Sequence, residues 1–151
     1  MKARMNNPAM VLPGAVAALQ AVSASTAGSG LPPSIVHLVH IRASQINGCS
    51  VCLEMHSKEA LRDGDSTDRL LAVAAWRESS HFSDPERAAL ALTEAVTRIA
   101  DRPDAVPDPV WDDAADHFDE QQLAALTLEI ATINLWNRLN VTVRQPAGQS
   151  W

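Results

Sequence analysis

Tyrosine is absent from this 151-residue chain, and aromatic residues of all kinds make up 4% of it. A base-stacking platform for single strands needs several aromatics close together, so that class is excluded. Positive charge is scarce as well: 12 Lys and Arg stand against 18 Asp and Glu, for a net charge of −6. No basic stripe runs through the sequence, which argues against nucleic acid and against anionic membrane surfaces as partners. No run reaches the roughly 18–20 apolar residues of a membrane span. The stretch from Ala9 to Val22, preceded by Lys2 and Arg4, has the outline of a secretory signal, but Pro13, Gly14 and Gln20 interrupt it. A cytoplasmic protein is the expectation. Cysteine is nearly absent too, with two in the chain. In a reducing compartment a close cysteine pair is more often catalytic or metal-binding than a structural staple.

What the chain does contain is Ala and Leu recurring at helical spacing. The pattern predicts a helix from Pro13 to about Ser25 and a second opened by Leu31-Pro32-Pro33. Asn47-Gly48 breaks the second, and a third runs from near Cys49 to Arg62. Ser66 caps a fourth, which carries Leu70, Leu71, Val73, Ala74 and Trp76. Ser83-Asp84-Pro85-Glu86 has the form of a capping box and opens a fifth, to about Ala100. Pro109 starts a short helix to about Phe118. Asp119 and Gln122 form a second box, opening a long helix from about Glu120 to Val143. No segment alternates at period two for long enough to make a sheet. The expectation is a single all-α domain over 1–151, ending in a polar tail at 145–151. The last helix is apolar around much of its circumference, with Leu126, Leu128, Ile130, Ile133, Leu135 and Trp136 on no single stripe. It is therefore central in the domain, covered by another subunit, or a share of both.

Both cysteines lie in the stretch NGCSVCLEMH, residues 47–56. If Asn47 caps the helix that carries them, about 100° per residue puts Cys49 and Cys52 about 60° apart around the axis, with His56 between them. Glu54 points the other way. Cys49 then falls in the first turn, where free amides and the helix dipole favour a thiolate. His56, one turn beyond Cys52, is placed to take or return its proton. Cys52 is accordingly the expected attacking thiolate and Cys49 the resolving thiol. Two cysteines packed as small apolar residues are the plain alternative.

The stretch from Arg42 to Cys52, followed by Met55-His56-Ser57-Lys58-Glu59-Ala60, resembles the alkylhydroperoxidase D group (AhpD-like) of the carboxymuconolactone decarboxylase superfamily. The resemblance extends through Ala74–Glu78 and Ser83–Leu92, resumes at Ala131–Arg138, and covers about Leu31 to Arg144. It implies an all-α fold whose subunits assemble as trimers or hexamers. It also implies a thiol peroxidase or disulfide reductase that reduces hydroperoxides with an external dithiol and uses no flavin, haem or metal. The family roles fall on Cys52 as attacking thiol, Cys49 as resolving thiol and His56 as a member of a proton relay. The sequence departs at one position: the relay glutamate on the preceding helix is replaced by His37. A histidine can pass protons near neutral pH but supplies no fixed negative charge. The same departure creates a rival, because Cys49, Cys52, His56 and His37 make a Cys₂His₂ set of the kind that suits zinc. A redox sensor or scaffold without turnover, and a decarboxylase-like enzyme, are the remaining alternatives. His40, one turn after His37, reads as a packing or solvated histidine.

Overall fold

The computed structural model describes residues 2–148, so the end of the predicted polar tail lies outside the described residues. Among them there are eight α-helices and no strand. They are α1 (Pro8–Val11), α2 (Ala15–Ala24), α3 (Pro33–Asn47), α4 (Ser50–Arg62), α5 (Thr67–Ala72), α6 (Asp84–Thr97), α7 (Asp108–His117) and α8 (Glu120–Val143). The all-α expectation holds. No described helix is long and apolar enough to cross a membrane.

Helix α3 is the axis of the fold. Pro33 sits in its first turn, where a missing amide costs nothing. Its apolar residues are spread around the cylinder, and it is covered on more than one side, by α4, α6 and α8. Ile35 and Val39 join Leu92, Phe118, Leu126 and Ile130 in one core cluster. Leu38 and Ile41 join Val73, Trp76, Phe82 and Leu90 in a second. A smaller third cluster holds Ala43, Val51, Ile133 and both cysteines.

Both predicted capping boxes are present. Glu86 accepts from the Ser83 amide at 2.9 Å, and Asp119 accepts from the Gln122 amide at 2.9 Å. The predicted first helix is present as α2, which starts after Gly14 with its left-handed backbone (φ 80°); a short helix that the sequence reading did not include, α1, precedes it and is capped by Asn7 through the Ala9 amide. Two expectations are corrected. Helix α5 does not run on through Trp76 but tightens into a 3₁₀ turn, Val73–Glu78, kinked at Ala75. Asn47 does not cap the cysteine helix. It closes α3; Gly48 takes the left-handed conformation (φ 68°) that ends that helix, and Cys49 becomes the N-cap of α4.

Helix α8 packs against α2, α3, α4, α6 and α7. Leu126, Ile130 and Ile133 are buried, while Leu135 and Val141 are exposed. Its buried face also carries Glu129, Thr132, Asn134, Asn137 and Asn140, an unusual polar load for a central helix.

Candidate redox site

Cys49 and Cys52 are joined as a disulfide, with Cα atoms 5.4 Å apart and each residue 2% exposed. The geometry follows from the turn. An N-cap residue and the third residue of a helix lie close enough to bridge with no change of backbone, and Gly48 supplies the reversal that brings Cys49 there. Cys49 still bonds back into α3, its amide donating to the Ser44 carbonyl at 3.0 Å.

The two sulfurs belong to residues that face different spaces. Cys52 lines a cavity of about 400 Å³ with His40, His56, Met10, Val16, Ile133 and Trp136 among its walls. Cys49 lines a separate cleft with Gly48, Ser50 and Arg144. The first cavity is roofed by the N-terminal helices, so the segment ahead of α3 contributes directly to it. Trp136 lines it as well. Trp76 is buried and donates its indole N–H to Glu94 at 2.9 Å.

Two imidazoles meet in the cavity. The His40 and His56 ring centroids are 4.4 Å apart. His56 pairs through Nδ1 with Glu59 at 2.8 Å. His40 pairs through Nε2 with Glu129 at 2.9 Å, and the other oxygen of Glu129 accepts from the Thr26 hydroxyl at 2.5 Å. Burial pushes the His40 imidazole below its ordinary pKa, against the opposing effect of its hydrogen bond to Glu129. Burial pushes Glu129 up, but the bonds from His40 and Thr26 and the nearby imidazoles outweigh it and hold the carboxyl below its usual range. Glu59 is held low chiefly by its bond to His56. The resting arrangement is a neutral His40 donating to an ionised Glu129.

His37 is not part of this group. It turns toward α4's end and pairs with Asp63 at 2.8 Å, in a cleft lined by Asp65, Ser66 and Arg69. The reason is register: His37 and His40 are three residues apart, about 60° around the helix, and it is His40 that faces α8. The four-ligand set allowed by the sequence is therefore not assembled. Among the described residues no cluster of three or more His, Cys, Asp or Glu is arranged to hold a metal ion.

The structure joins Cys49 to Cys52 and sets Cys52 and His56 on one cavity, and it adds Glu129, Glu59, Asn7 and Asn140, none of which was expected at the site. A signal for two of them was present. Glu129 is an ionisable residue inside an apolar helix, and Asn134, Asn137 and Asn140 repeat every three residues on it. Asn47 donates to both Asn134 and Asn137 at 2.9 Å, Asn137 donates to Ser44 at 3.1 Å, and Asn140 donates to the Cys52 sulfur at 3.2 Å. These amides pin the end of α3, and the sulfur itself, to α8.

Residues 13–95 match the carboxymuconolactone decarboxylase family. Two curated relatives are the uncharacterized protein YdfG of Bacillus subtilis (strain 168) and the uncharacterized protein YnjA of Escherichia coli (strain K12). YdfG is 39% identical over 106 residues, 70% of this chain and 71% of that one. YnjA is 40% identical over 119 residues, 79% of this chain and 64% of that one. A crystal structure of ATU0492 from Agrobacterium tumefaciens, a protein of unknown function, superposes with a TM-score of 0.90 at 36% identity, over 99% of this chain and 100% of that one. The debrominase Bmp8 bound to 2,3,4-tribromopyrrole shares the fold at 19% identity, with a TM-score of 0.78 over 91% of this chain and 72% of that one.

Proposed function

The chain belongs to the carboxymuconolactone decarboxylase family, and from that premise we propose that it is a thiol-dependent peroxidase acting on organic hydroperoxides. The observation that carries the proposal is the Cys49–Cys52 disulfide, with Cys52 on a largely apolar cavity beside two histidines. The ATU0492 protein, whose name carries a suggested antioxidant defence role as AhpD, points the same way.

In the reduced enzyme His56 takes the Cys52 thiol proton. The thiolate attacks the terminal peroxide oxygen; the O–O bond breaks, Cys52 becomes a sulfenic acid, and the alkoxide leaves as an alcohol by taking the proton back from His56. The Cys49 thiol then attacks the sulfenic sulfur, forming the disulfide and releasing water. An external dithiol reduces the disulfide by two successive exchanges and leaves oxidised. His40 and Glu129 complete the relay behind His56, in place of the glutamate expected on α3. Glu129 supplies the fixed negative charge that His37 lacks. The subunits work as a homo-oligomer.

The test is steady-state turnover of cumene hydroperoxide with dihydrolipoamide, for wild type beside Cys52→Ser. Turnover that vanishes in the variant is the expected result. A folded wild type that forms the disulfide and turns over no hydroperoxide would leave a redox sensor as the better account.

A further inference from the structure

The Cys52 sulfur accepts one side-chain hydrogen bond in the structure, from the Asn140 amide at 3.2 Å. An amide presents a donor at one end and an acceptor at the other, so its effect on a sulfur depends on which end faces it. Here the orientation is set by the chain. The Ala9 backbone N–H can only donate, and it donates to Asn7 Oδ1 at 2.9 Å. Asn7 Nδ2 is therefore the end turned to Asn140, and it donates to Asn140 Oδ1 at 2.7 Å. That leaves Asn140 Nδ2 for the sulfur. Asn7 is 2% exposed, Asn140 4% and Cys52 2%, so the line of three side chains is largely buried.

We propose that Asn7 is a positioning residue that turns Asn140 so that its N–H stabilises the Cys52 thiolate. The proposal rests on the reading of Cys52 as the attacking sulfur. A disulfide sulfur is a weak acceptor, whereas a thiolate gains a charge-assisted bond. The device is nearly silent in the oxidised form and acts when the pair is reduced. The proton lost by the thiol passes to His56. The titratable groups around the sulfur are Cys49 and His56 beside it, His40 from α3, and, through the imidazoles, Glu129 of α8 and Glu59 of α4. The N-terminal segment brings neutral groups to the cavity, among them Gln20 and Ser23.

Asn7→Asp separates orientation from packing. One carboxylate oxygen still caps Ala9, but the other now accepts. Asn140 must turn its Nδ2 toward it and leave Oδ1 against the sulfur. The measurement is the pH dependence of Cys52 alkylation by iodoacetamide, followed by mass spectrometry in a Cys49→Ser background where one thiol titrates. Asn7→Asp is expected to raise the thiol pKa by about one unit, roughly a tenfold loss of thiolate below it. Made on top of Asn140→Ala, the same substitution is expected to add nothing, which distinguishes a turned amide from the charge of the new carboxylate. An unmoved pKa in folded Asn7→Asp, or a shift that persists without Asn140, overturns the proposal. Should Asn7→Asp not fold, Asn140→Ala alone must raise the pKa, and an unchanged value overturns it equally. Because the readout is alkylation, absence of peroxide turnover would sink the peroxidase reading and leave this result standing.

Discussion

A carboxylate buried beside Ile130 on α8 is expensive unless it is paired, and Glu129 is paired with His40 and Thr26. Replacing it by Gln keeps the shape and removes the charge. Peroxide turnover in Glu129→Gln is expected to fall by about 10²-fold, the usual scale for a proton-relay group, with the disulfide still able to form. The sign of the pH effect follows from the pairing. Glu129 opposes the burial that lowers the His40 pKa, so its loss lowers that pKa further. The acid limb of the rate profile, where His40 protonates, is expected to move to lower pH in the variant; a move to higher pH would contradict the relay. His37→Glu is expected to leave turnover unchanged, since His37 faces Asp63 and not the sulfurs. The cysteines and His56 were legible because one helix turn relates them. The choice between His37 and His40 was not, because α3 is apolar around most of its surface and its sequence does not say which side meets α8.

The junction between α3 and α4 depends on a left-handed residue. A Cβ added at Gly48 would meet nothing within 4 Å, so the cost of Gly48→Ala is the backbone conformation alone. About 1 kcal/mol of stability is the expected loss, read from chemical denaturation. A second element-level tie joins α3, α6 and the turn after α5. Glu94 accepts from Arg42 at 2.8 Å, Trp76 at 2.9 Å and Arg77 at 2.8 Å. Burial pushes Glu94 up, but these bonds outweigh it and hold its pKa down at about 2. A carboxyl depressed by folding stabilises above its unfolded pKa and loses that contribution as pH falls through the folded value. Glu94→Gln is therefore expected to cost about 2 kcal/mol at pH 7, and the gap from wild type should close between about pH 4.5 and 2. A gap that stays constant over that range would contradict the assignment. The capping boxes, and with them the starts of α6 and α8, were visible in the sequence because each is a local pattern. Helix α1 was less so, because what holds it in place is Asn7 reaching Asn140, a contact across 133 residues.

At the scale of the molecule, helices α1 and α2 complete the cavity over Cys52 yet expose apolar surface of their own. Val11, Leu12 and Val22 are exposed, as are Leu71, Ile99 and Trp111 elsewhere. Such surface on a chain with this small an aromatic content is consistent with subunit packing. Sedimentation equilibrium is expected to give three or six times the chain mass of 16.2 kDa; the monomer mass would contradict the proposed assembly. The account nevertheless turns on the sulfur chemistry more than on the assembly. The most direct measurement is mass spectrometry of the fully reduced protein after one equivalent of cumene hydroperoxide per chain, with free thiols trapped before digestion. The account predicts a Cys49–Cys52 disulfide in nearly every chain, one equivalent of alcohol released, and a sulfenic acid on Cys52 when Cys49→Ser removes the resolving thiol. Two free thiols in a protein that remains folded would contradict it.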